Sequence, residues 1–379
     1  MEANPPLDSW IVRRILVLGS TGSIGVQALD VISRSPDLSV CGLACGTQIE
    51  VLRAQAVAHG VVHTTCAAGG GTLTASQDLG ELIDATQPDV VLNGFVGAAG
   101  LAPTLAALER GIGVALANKE SLVVGGEIVA KVRASTGAML VPVDSEHSAI
   151  FQLLADIPPA RVRTIVLTAS GGPFRGRDTA ALRDVRVAEA LAHPTWSMGA
   201  KITIDSATMM NKGLEIIEAH HLFGVGYDQI QVVVHPQSLV HGMVRLDDGS
   251  VMSHLGPPDM RVPIGYALRW PDPPPENTPL PLAGMTLEFL EPDPTTFRCL
   301  ALAVEAGRAG GTAPAVLNGA NEVAVAAFLN DEIGFLDIAA VVAAALDEIP
   351  VGPGDELESV LEADRMSRDV ALSQMRSLA

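Results

Sequence analysis

The feature that most constrains the fold is a glycine-rich turn between an apolar run and a helix-forming stretch. Residues 15–18 (ILVL) predict a buried strand, residues 19–25 (GSTGSIG) a turn, and residues 26–33 a helix. Glycines let the backbone approach a phosphate, and the amides at the start of the helix favour its negative charge. The spacing G-x-x-G-x-x-G differs from the G-x-G-x-x-G fingerprint, so a tight structural turn remains the alternative to dinucleotide binding.

This strand-to-helix pattern repeats along the first part of the chain. Helical stretches such as 101–110 and 123–134 separate the later apolar runs. Abundant Gly and Ala and only 3% aromatic residues favour helices packed closely on a sheet over a β-sandwich. We therefore predict an α/β protein with a Rossmann-like, doubly wound parallel sheet, whose ligands bind at the carboxyl ends of the strands. The further predicted strands are 39–44, 61–65, 89–93, 112–117 and 138–143.

A chain of 379 residues is too long for one ordinary core. We predict a dinucleotide-binding domain at 1–143, a central α+β catalytic domain at 144–270, a proline-rich linker at 271–295 and a C-terminal α-helical bundle at 296–379. The central region predicts a mixed sheet, with a hairpin turn at Asp247, Asp248 and Gly249. Its predicted strands are 163–168, 201–205, 232–234 and 240–244.

Composition excludes several classes of partner. A formal net charge of −19 disfavours nucleic acid and anionic membranes, which are bound by basic surfaces. No apolar run approaches the length that spans a bilayer, and residues 1–8 lack the pattern of a secretion signal. The 4 cysteines form no C-x-x-C pair and are expected to be reduced core thiols. We expect a cytoplasmic protein whose partner is a small molecule.

The acidic stretch after the run 138–143 is the main candidate for chemistry. In a short extended segment, Asp144 and Glu146 would face the same side, and two such close carboxylates indicate a divalent metal or an acid/base couple. Farther along, helical spacing places Asn211, Lys212 and Glu215 on one face. We predict that Glu215 completes a three-carboxylate site. The alternative is that these residues are solvated surface acids.

Other residues have a functional and a structural interpretation. Lys119 follows a predicted strand and is a candidate contact for cofactor or substrate, or a surface lysine at the start of a helix. The Ser-Gly-Gly sequence at 170–172 predicts a phosphate cradle or an ordinary turn. Trp196 lies in a segment bounded by Pro and Gly, and is either a lid over the substrate or a packed anchor. His235 and His241 could be ligands, although such histidines are more often structural.

The end of the second strand bears on the choice of dinucleotide. The residues that follow it, Gly46, Thr47 and Gln48, include no carboxylate. A carboxylate there would bind the ribose 2′-hydroxyl of NAD and repel a 2′-phosphate. Its absence favours NADPH over NADH.

Taken together, these motifs resemble the 1-deoxy-D-xylulose 5-phosphate reductoisomerase family. The likeness covers nearly the whole chain, and the motifs occur in the order of the family. Its segments are 19–25, 117–121 (ANKES), 143–147 (VDSEH), 170–174 (SGGPF), 193–199 (HPTWSMG), 211–215 (NKGLE) and 318–322 (NGANE).

The resemblance implies a homodimer that uses NADPH and Mn²⁺ or Mg²⁺. It would convert 1-deoxy-D-xylulose 5-phosphate to 2-C-methyl-D-erythritol 4-phosphate by retro-aldol cleavage, aldol rejoining and hydride transfer, in non-mevalonate isoprenoid precursor biosynthesis. The alternatives are an NADP-dependent sugar-phosphate dehydrogenase without rearrangement, and a cofactor-sensing regulatory protein whose site is degenerate.

The resemblance also implies roles for individual residues. Asp144, Glu146 and Glu215 would hold the metal, and Glu146, Lys212 and His193 would be catalytic. Trp196 and Met198 would form the lid. The implied substrate contacts are Lys119, Ser145, Glu146, Ser170, His193, Ser206, Asn211, Lys212 and Glu215. The implied cofactor contacts are Thr21, Gly22, Ser23, Ile24, Gly46, Gln48, Asn118, Glu120 and Gly199.

Overall fold

The structure is a computed structural model that describes residues 12–69, 71, 79–272 and 279–378. The N-terminal residues 1–8 and part of the predicted proline-rich linker therefore lie outside the described residues. In the part of the chain that is described, no helix combines the length and the apolar character needed to cross a membrane.

The first body is a six-stranded parallel sheet with the strand order β3-β2-β1-β4-β5-β6. This order reverses direction between β1 and β4, and it confirms the predicted doubly wound sheet. The strands are β1 Arg13–Leu18, β2 Leu38–Cys45, β3 His63–Cys66, β4 Val90–Asn93, β5 Gly113–Leu116 and β6 Leu140–Pro142.

Both faces of this sheet are buried because helices cover each of them. In β1, Ile15 and Val17 belong to one apolar cluster, and Leu16 and Leu18 belong to another on the opposite face. This two-sided burial explains why the strands are continuous apolar runs in the sequence. The connecting helices are α1 Ser23–Ser33, α2 Ile49–His59, α3 Leu79–Thr86, α4 Leu101–Glu109 and α5 Glu120–Thr136.

The second body is a four-stranded mixed sheet with the order β10-β9-β7-β8, as predicted for the central region. Strands β7 and β8 pair in parallel, whereas β9 pairs antiparallel with both β7 and β10. The turn that joins β9 to β10 contains Gly249 at a φ of 86°, which confirms the predicted hairpin. The strands are β7 Val162–Ala169, β8 Ile230–Val234, β9 Val240–Leu246 and β10 Val251–Leu255.

One predicted strand of this region is wrong. Residues 201–205 lie in a helix, although the alternation of Ile and Thr favours a strand locally. Ile204, Ala207 and Thr208 are buried at helical spacing, so packing overrides the local preference. The central helices are α6 Ser145–Leu154, α7 Val187–Ala190, α8 Ala200–Thr208, α9 Met210–Phe223 and α10 Arg261–Arg269.

The C-terminal segment is helical, as predicted, and it packs on both sheets' helices. The first C-terminal helix packs closely on α9. A Cβ added to Gly213 of α9 would lie 2.4 Å from the Cβ of Ala303 in that helix. Glu322 accepts hydrogen bonds from the amide of Ala98, at 3.0 Å, and from Arg368, at 2.8 Å. The C-terminal helices therefore contact the loop that follows β4. They are α11 Arg298–Ala309, α12 Ala313–Leu329, α13 Asp337–Glu348 and α14 Leu357–Leu378.

The segment around the predicted linker is tied to both bodies. Leu290 forms a β-bridge with Val234 of the second sheet. Helix α10 packs against the first sheet, where Arg13 donates to the carbonyls of Leu268 and Trp270 at 3.0 and 2.9 Å. The domain boundaries at 143, 270 and 295 stay predictions.

Candidate active site

Three carboxylates converge between the two sheets. Ligand atoms of Asp144, Glu146 and Glu215, here called the acidic trio, all lie within 4.8 Å of one another. The expected extended segment at 144–146 is wrong, because Asp144 is the N-cap of α6 and accepts a hydrogen bond from the amide of Glu146 at 3.3 Å. The helix start, rather than a strand, thus brings the two side chains together.

Two lysines supply positive charge to the trio. The ammonium of Lys119 lies 2.7 Å from Asp144 and 3.3 Å from Glu215, and that of Lys212 lies 2.7 Å from Glu146 and also contacts Glu215. Both lysines are buried. Lys119 follows β5 and Asp144 follows β6, and these strands are neighbours, so the pairing results from the order of the parallel sheet. Lys119 is therefore buried beside the acidic trio and is not a surface lysine.

The close packing of charge shifts the pKa values of Asp144 and Glu215 in opposite directions. Burial disfavours the charged form of Asp144, but Lys119 and His147 outweigh it and hold the pKa of Asp144 well below its usual value. Burial and the neighbouring Glu146 raise the pKa of Glu215, and Lys212 offsets only part of this rise. Crowded carboxylate oxygens are the donor set that Mg²⁺ and Mn²⁺ prefer, so the trio fits a divalent cation of this kind.

A buried histidine and a further acid lie behind the trio. His147 donates from Nε2 to the carbonyl of Glu215 at 3.0 Å, and its Nδ1 lies 3.3 Å from Asp144 and 3.5 Å from Glu218. The carboxylates outweigh burial and raise the pKa of His147 to about 9, and burial raises the pKa of Glu218 to about 8. Glu218 is not among the residues predicted from the sequence. Its spacing of three from Glu215 on α9 was the available signal.

The glycine-rich turn at 19–25 has the close approaches that require glycine. Gly19 has a φ of 77°, and a Cβ at Gly25 would lie 2.3 Å from the carbonyl oxygen of Gly19. Helix α1 begins at Ser23, with Gly22 as its N-cap. The turn therefore points the first amides of α1 past the carboxyl edge of the sheet, where an anionic group can bind.

The loop after β7 is built around two glycines and a serine. Gly171 and Gly172 have φ values of 81° and 66°, and a Cβ at Gly172 would lie 2.7 Å from the carbonyl oxygen of Ser206. Ser170 is hydrogen-bonded to Nε2 of His193 at 2.9 Å. The backbone amide of Trp196 donates to Nδ1 of His193 at 2.9 Å, so the neutral ring carries its proton on Nε2 and donates to Ser170. Burial lowers the pKa of His193, which favours this neutral form.

One cleft gathers most of the predicted site residues. It lies between the turn at 19–25, the acidic trio and the segment 193–199, here called the lid segment. Trp196 borders it, with its ring 6.2 Å from that of His241, which also lines the cleft. The predicted residues in its lining are Ser23, Ile24, Lys119, Asp144, Ser145, Glu146, Ser170, His193, Trp196, Met198, Gly199, Ser206, Asn211, Lys212 and Glu215.

The other predicted cofactor residues lie outside this lining. Thr21 and Gly22 are in the turn at 19–25, and Gly46 and Gln48 are exposed beyond the end of β2. Asn118 is buried and donates to the carbonyls of Phe95 and Gly97 at 3.1 and 2.9 Å. Glu120 is also buried, in an ion pair with Lys201. Lining residues that the sequence analysis missed include Gln27, Ile202, Met209, Ser238, Val240 and Met260.

The fold and the site define a class, namely enzymes that bind a dinucleotide at the edge of a parallel sheet beside an acidic metal-type centre. Three family models match the chain. These are 1-deoxy-D-xylulose 5-phosphate reductoisomerase at residues 15–126, the C-terminal domain of that enzyme at residues 140–223, and the DXP reductoisomerase C-terminal domain at residues 255–370. Together with the relatives described next, they show that the chain belongs to the 1-deoxy-D-xylulose 5-phosphate reductoisomerase family.

Curated relatives match the chain over nearly its full length. The 1-deoxy-D-xylulose 5-phosphate reductoisomerase of Leifsonia xyli subsp. xyli is 51% identical, over 95% of this chain and 98% of that protein. The enzyme of the same name from Xanthomonas oryzae pv. oryzae (strain PXO99A) is 49% identical, over 95% of this chain and 96% of that protein.

Solved structures of this family have a similar fold. A DOX-P reductoisomerase in complex with NADPH, fosmidomycin and magnesium has a TM-score of 0.90 and 39% identity, over 97% of this chain and 99% of that one. The reductoisomerase of Zymomonas mobilis in complex with NADPH has a TM-score of 0.86 and 41% identity, over 96% of this chain and 99% of that one.

Proposed function

We propose that this chain converts 1-deoxy-D-xylulose 5-phosphate to 2-C-methyl-D-erythritol 4-phosphate, with NADPH and a divalent metal. The observation that carries the proposal is that one cleft holds the acidic trio, Lys119, Lys212 and the start of the nucleotide-binding helix α1. Hydride transfer and metal-assisted rearrangement both need their groups at one substrate. The cleft provides this proximity.

Asp144, Glu146 and Glu215 are the residues that would hold the metal. A bound Mg²⁺ or Mn²⁺ would act as a Lewis acid that polarises a carbonyl group and stabilises negative charge on substrate oxygens. Manganese is included because all three ligands are oxygens, which suit either ion better than zinc. Asn211 orients Glu215 through a hydrogen bond of 2.6 Å and accepts one from Lys119 at 2.7 Å.

Proton transfer is assigned to Glu146, and Lys212 is the residue that orients it. The Glu146 side chain is the most exposed of the trio, at 18%, so it can reach a substrate hydroxyl from the wall of the cleft. Lys212 donates to it at 2.7 Å and holds its orientation. Ser145 contacts the other carboxylate oxygen of Glu146, which leaves one face of this carboxylate towards the cleft.

The substrate phosphate is assigned to the side of the cleft away from the acids. Ser170 and Ser206 line that side, and the amide of Gly172 donates to the hydroxyl of Ser170 at 3.2 Å. His193, held by the amide of Trp196, donates its Nε2 proton to Ser170, so the hydroxyl proton of Ser170 can point to the phosphate. These neutral donors accept a dianion that the carboxylates would repel. Closure of Trp196 and Met198 over the cleft would exclude water while the carbon skeleton rearranges.

NADPH is assigned to the edge of the first sheet, from which a bound cofactor would supply the hydride. The turn at 19–25 and the first amides of α1 would bind its pyrophosphate, since glycine there allows close approach. Gly46 and Gln48 are exposed at the end of β2, at the position expected for the adenosine ribose. The absence of a carboxylate in this part of the sequence supports NADPH over NADH.

We further propose that the protein works as a homodimer in the cytoplasm. The edge strand β10 exposes Val251 and Met252 at 48% and 43%, which provides an apolar edge for pairing. The cysteines in the described residues are free, which agrees with a reducing compartment.

The proposed function is tested by following NADPH oxidation with 1-deoxy-D-xylulose 5-phosphate. The assay contains Mg²⁺ or Mn²⁺, which is then removed by a chelator. Metal-dependent oxidation that yields a branched polyol phosphate is the expected result. Oxidation without rearrangement of the carbon skeleton would favour a simple dehydrogenase, and no oxidation by protein that still binds NADPH would reject the proposal.

A further inference from the structure

A second group of charged side chains, which includes the predicted cofactor residue Glu120, lies outside the lining of the cleft, and no chemical step is assigned to it above. The ammonium of Lys201 lies 2.9 Å from Glu120 and 2.8 Å from Asp205. The three side chains are 17%, 9% and 2% exposed, in the order Lys201, Glu120 and Asp205. They are all outside the lining of the cleft, so they act on the substrate only through other groups.

Each of the remaining oxygens in this group has its own donor. Asn118 donates to the second carboxylate oxygen of Glu120 at 3.0 Å, and Asn321 of α12 donates to that of Asp205 at 2.8 Å. The network therefore joins α5, α8 and α12 through Lys201. Burying three charges costs solvation energy that apolar residues of similar size would not cost, so stability alone is a poor reason for this arrangement.

The position of Lys201 in the chain suggests what the network does. Lys201 is the second residue of α8, which begins directly after the lid segment 193–199. Its partner Glu120 directly follows Lys119, whose ammonium contacts the acidic trio. The ion pair between Lys201 and Glu120 thus connects the end of the lid segment to the strand end that carries a site lysine.

We propose that Lys201 is a positioning residue that ties the end of the lid segment to residues 118–120. This tie fixes where the lid segment lies relative to the carboxyl edge of the first sheet when it closes. This inference rests on the proposed function and names a device within the same site. Without the tie, α8 keeps its apolar packing through Ile204 and Ala207, but the lid segment loses its fixed end. Closed states then become less populated, which lowers turnover more than it lowers cofactor affinity.

The test compares Lys201→Met with Lys131→Met. Lys131 lies in α5 and forms an exposed ion pair with Asp355, in the segment before α14. The Lys131→Met variant therefore controls for the loss of a lysine ion pair between two elements. We expect Lys201→Met to lower kcat/KM for the sugar phosphate about tenfold, which is within the range for coupled charged pairs. The dissociation constant of NADPH without substrate should change by less than about twofold. Lys131→Met should match the wild type.

A second readout follows the lid directly. Quenching of Trp196 fluorescence by acrylamide should fall in the wild type when NADPH and substrate are both bound, and should stay high in Lys201→Met. Trp196 is isolated by replacing Trp10 and Trp270 with Phe in all variants. Unchanged kcat/KM in Lys201→Met, or full protection of Trp196, would overturn the proposal.

A purely structural role is distinguished by a second variant. Lys201→Met combined with Asp205→Asn removes one charge of each sign, so the net charge of the group is unchanged and Asp205 is not left without its cation. Asn321 can still donate to the amide oxygen at position 205, and Glu120 keeps its hydrogen bond from Asn118. If Lys201 only supports the fold, this double variant regains wild-type kcat/KM together with thermal stability. If Lys201 ties the lid, stability returns while the tenfold loss and the exposed Trp196 persist. Absence of turnover in the wild type would instead reject the proposed function.

Discussion

The ammonium of Lys119 lies 2.7 Å from a carboxylate oxygen of Asp144, although 25 residues separate them in the chain. Both follow neighbouring parallel strands, and both are at the carboxyl edge of the sheet. The pair sets the electrostatics of the acidic trio, because Lys119 is the main opposing charge that keeps Asp144 ionised in spite of its burial.

Replacing Lys119 by Met should therefore impair catalysis severely. We expect kcat/KM to fall by about two orders of magnitude, as for the loss of a charged donor in a preorganised site. The pKa of Asp144 should also rise, so the acid limb of the pH–rate profile should move to higher pH. The measurement is kcat/KM from about pH 4 to about pH 8, so that it starts near the usual pKa of an aspartate. An unchanged acid limb would show that Lys119 does not control this carboxylate.

Glu215→Gln should abolish turnover and leave NADPH affinity nearly intact. Glu215 contacts both lysines and belongs to the trio, whereas the turn at 19–25 is built by other elements. Turnover and a fluorescence titration of NADPH check this, with Glu358→Gln on the exposed face of α14 as the matched control. Equal loss of both properties would instead indicate that Glu215 supports the fold.

Gly25→Ala should weaken NADPH binding. The new Cβ would lie 2.3 Å from the carbonyl oxygen of Gly19, so the turn must shift at the point where the pyrophosphate is expected. We expect the dissociation constant of NADPH to rise at least about tenfold, since a displaced backbone loses hydrogen bonds to the anion. Isothermal titration gives this constant. Gly226→Ala is the control, because a Cβ there meets only the Gln229 side chain, at 3.7 Å. Unaltered affinity in Gly25→Ala would argue against the turn as the phosphate site.

Stability should fall in mild acid because of His221. Burial and the adjacent His220 lower the pKa of His221 from 6.5 to about 4. The unfolded chain therefore binds more protons between these values, so this contribution to stability is complete above pH 6.5 and is lost as the pH falls towards 4. The loss is at most about 3 kcal/mol. Urea unfolding at several pH values from about 7 to about 5 gives the free energy of unfolding as a function of pH. This free energy should fall less steeply with decreasing pH in His221→Phe than in the wild type, and His59→Gln on α2 should follow the wild type. Parallel slopes for His221→Phe and the wild type would contradict this assignment.

The sequence was sufficient for much of the first sheet, because strands buried on both faces are continuous apolar runs and the turn at 19–25 marks the first crossover. It also placed Asp144 and Glu146 together, although for the wrong reason, since a helix cap and not a strand brings them together. The local β-propensity of residues 201–205 predicted a strand, but these residues form a helix because it buries Ile204 and Ala207. In each case the error lies in the local conformation rather than in the chemistry.

Contacts between distant segments were beyond the reach of local patterns. The pairing of Lys119 with Asp144 needs the strand order, which follows only if the doubly wound topology is assumed. Glu218 is buried behind His147, and its role depends on where α9 packs. The tie between Lys201 and Glu120 joins residues 81 positions apart, for which a single sequence carries no signal.

The hydrogen bond from Ala98 to Glu322 has a consequence for the order in which the molecule is made. These residues are 224 positions apart, so a ribosome releases the loop after β4 long before the helix that supports it. Domains generally fold as they emerge, N-terminal part first. The first sheet can form early, but its nucleotide edge acquires this support only when α12 has left the ribosome. A nascent chain should therefore complete the loop after β4 only late in synthesis.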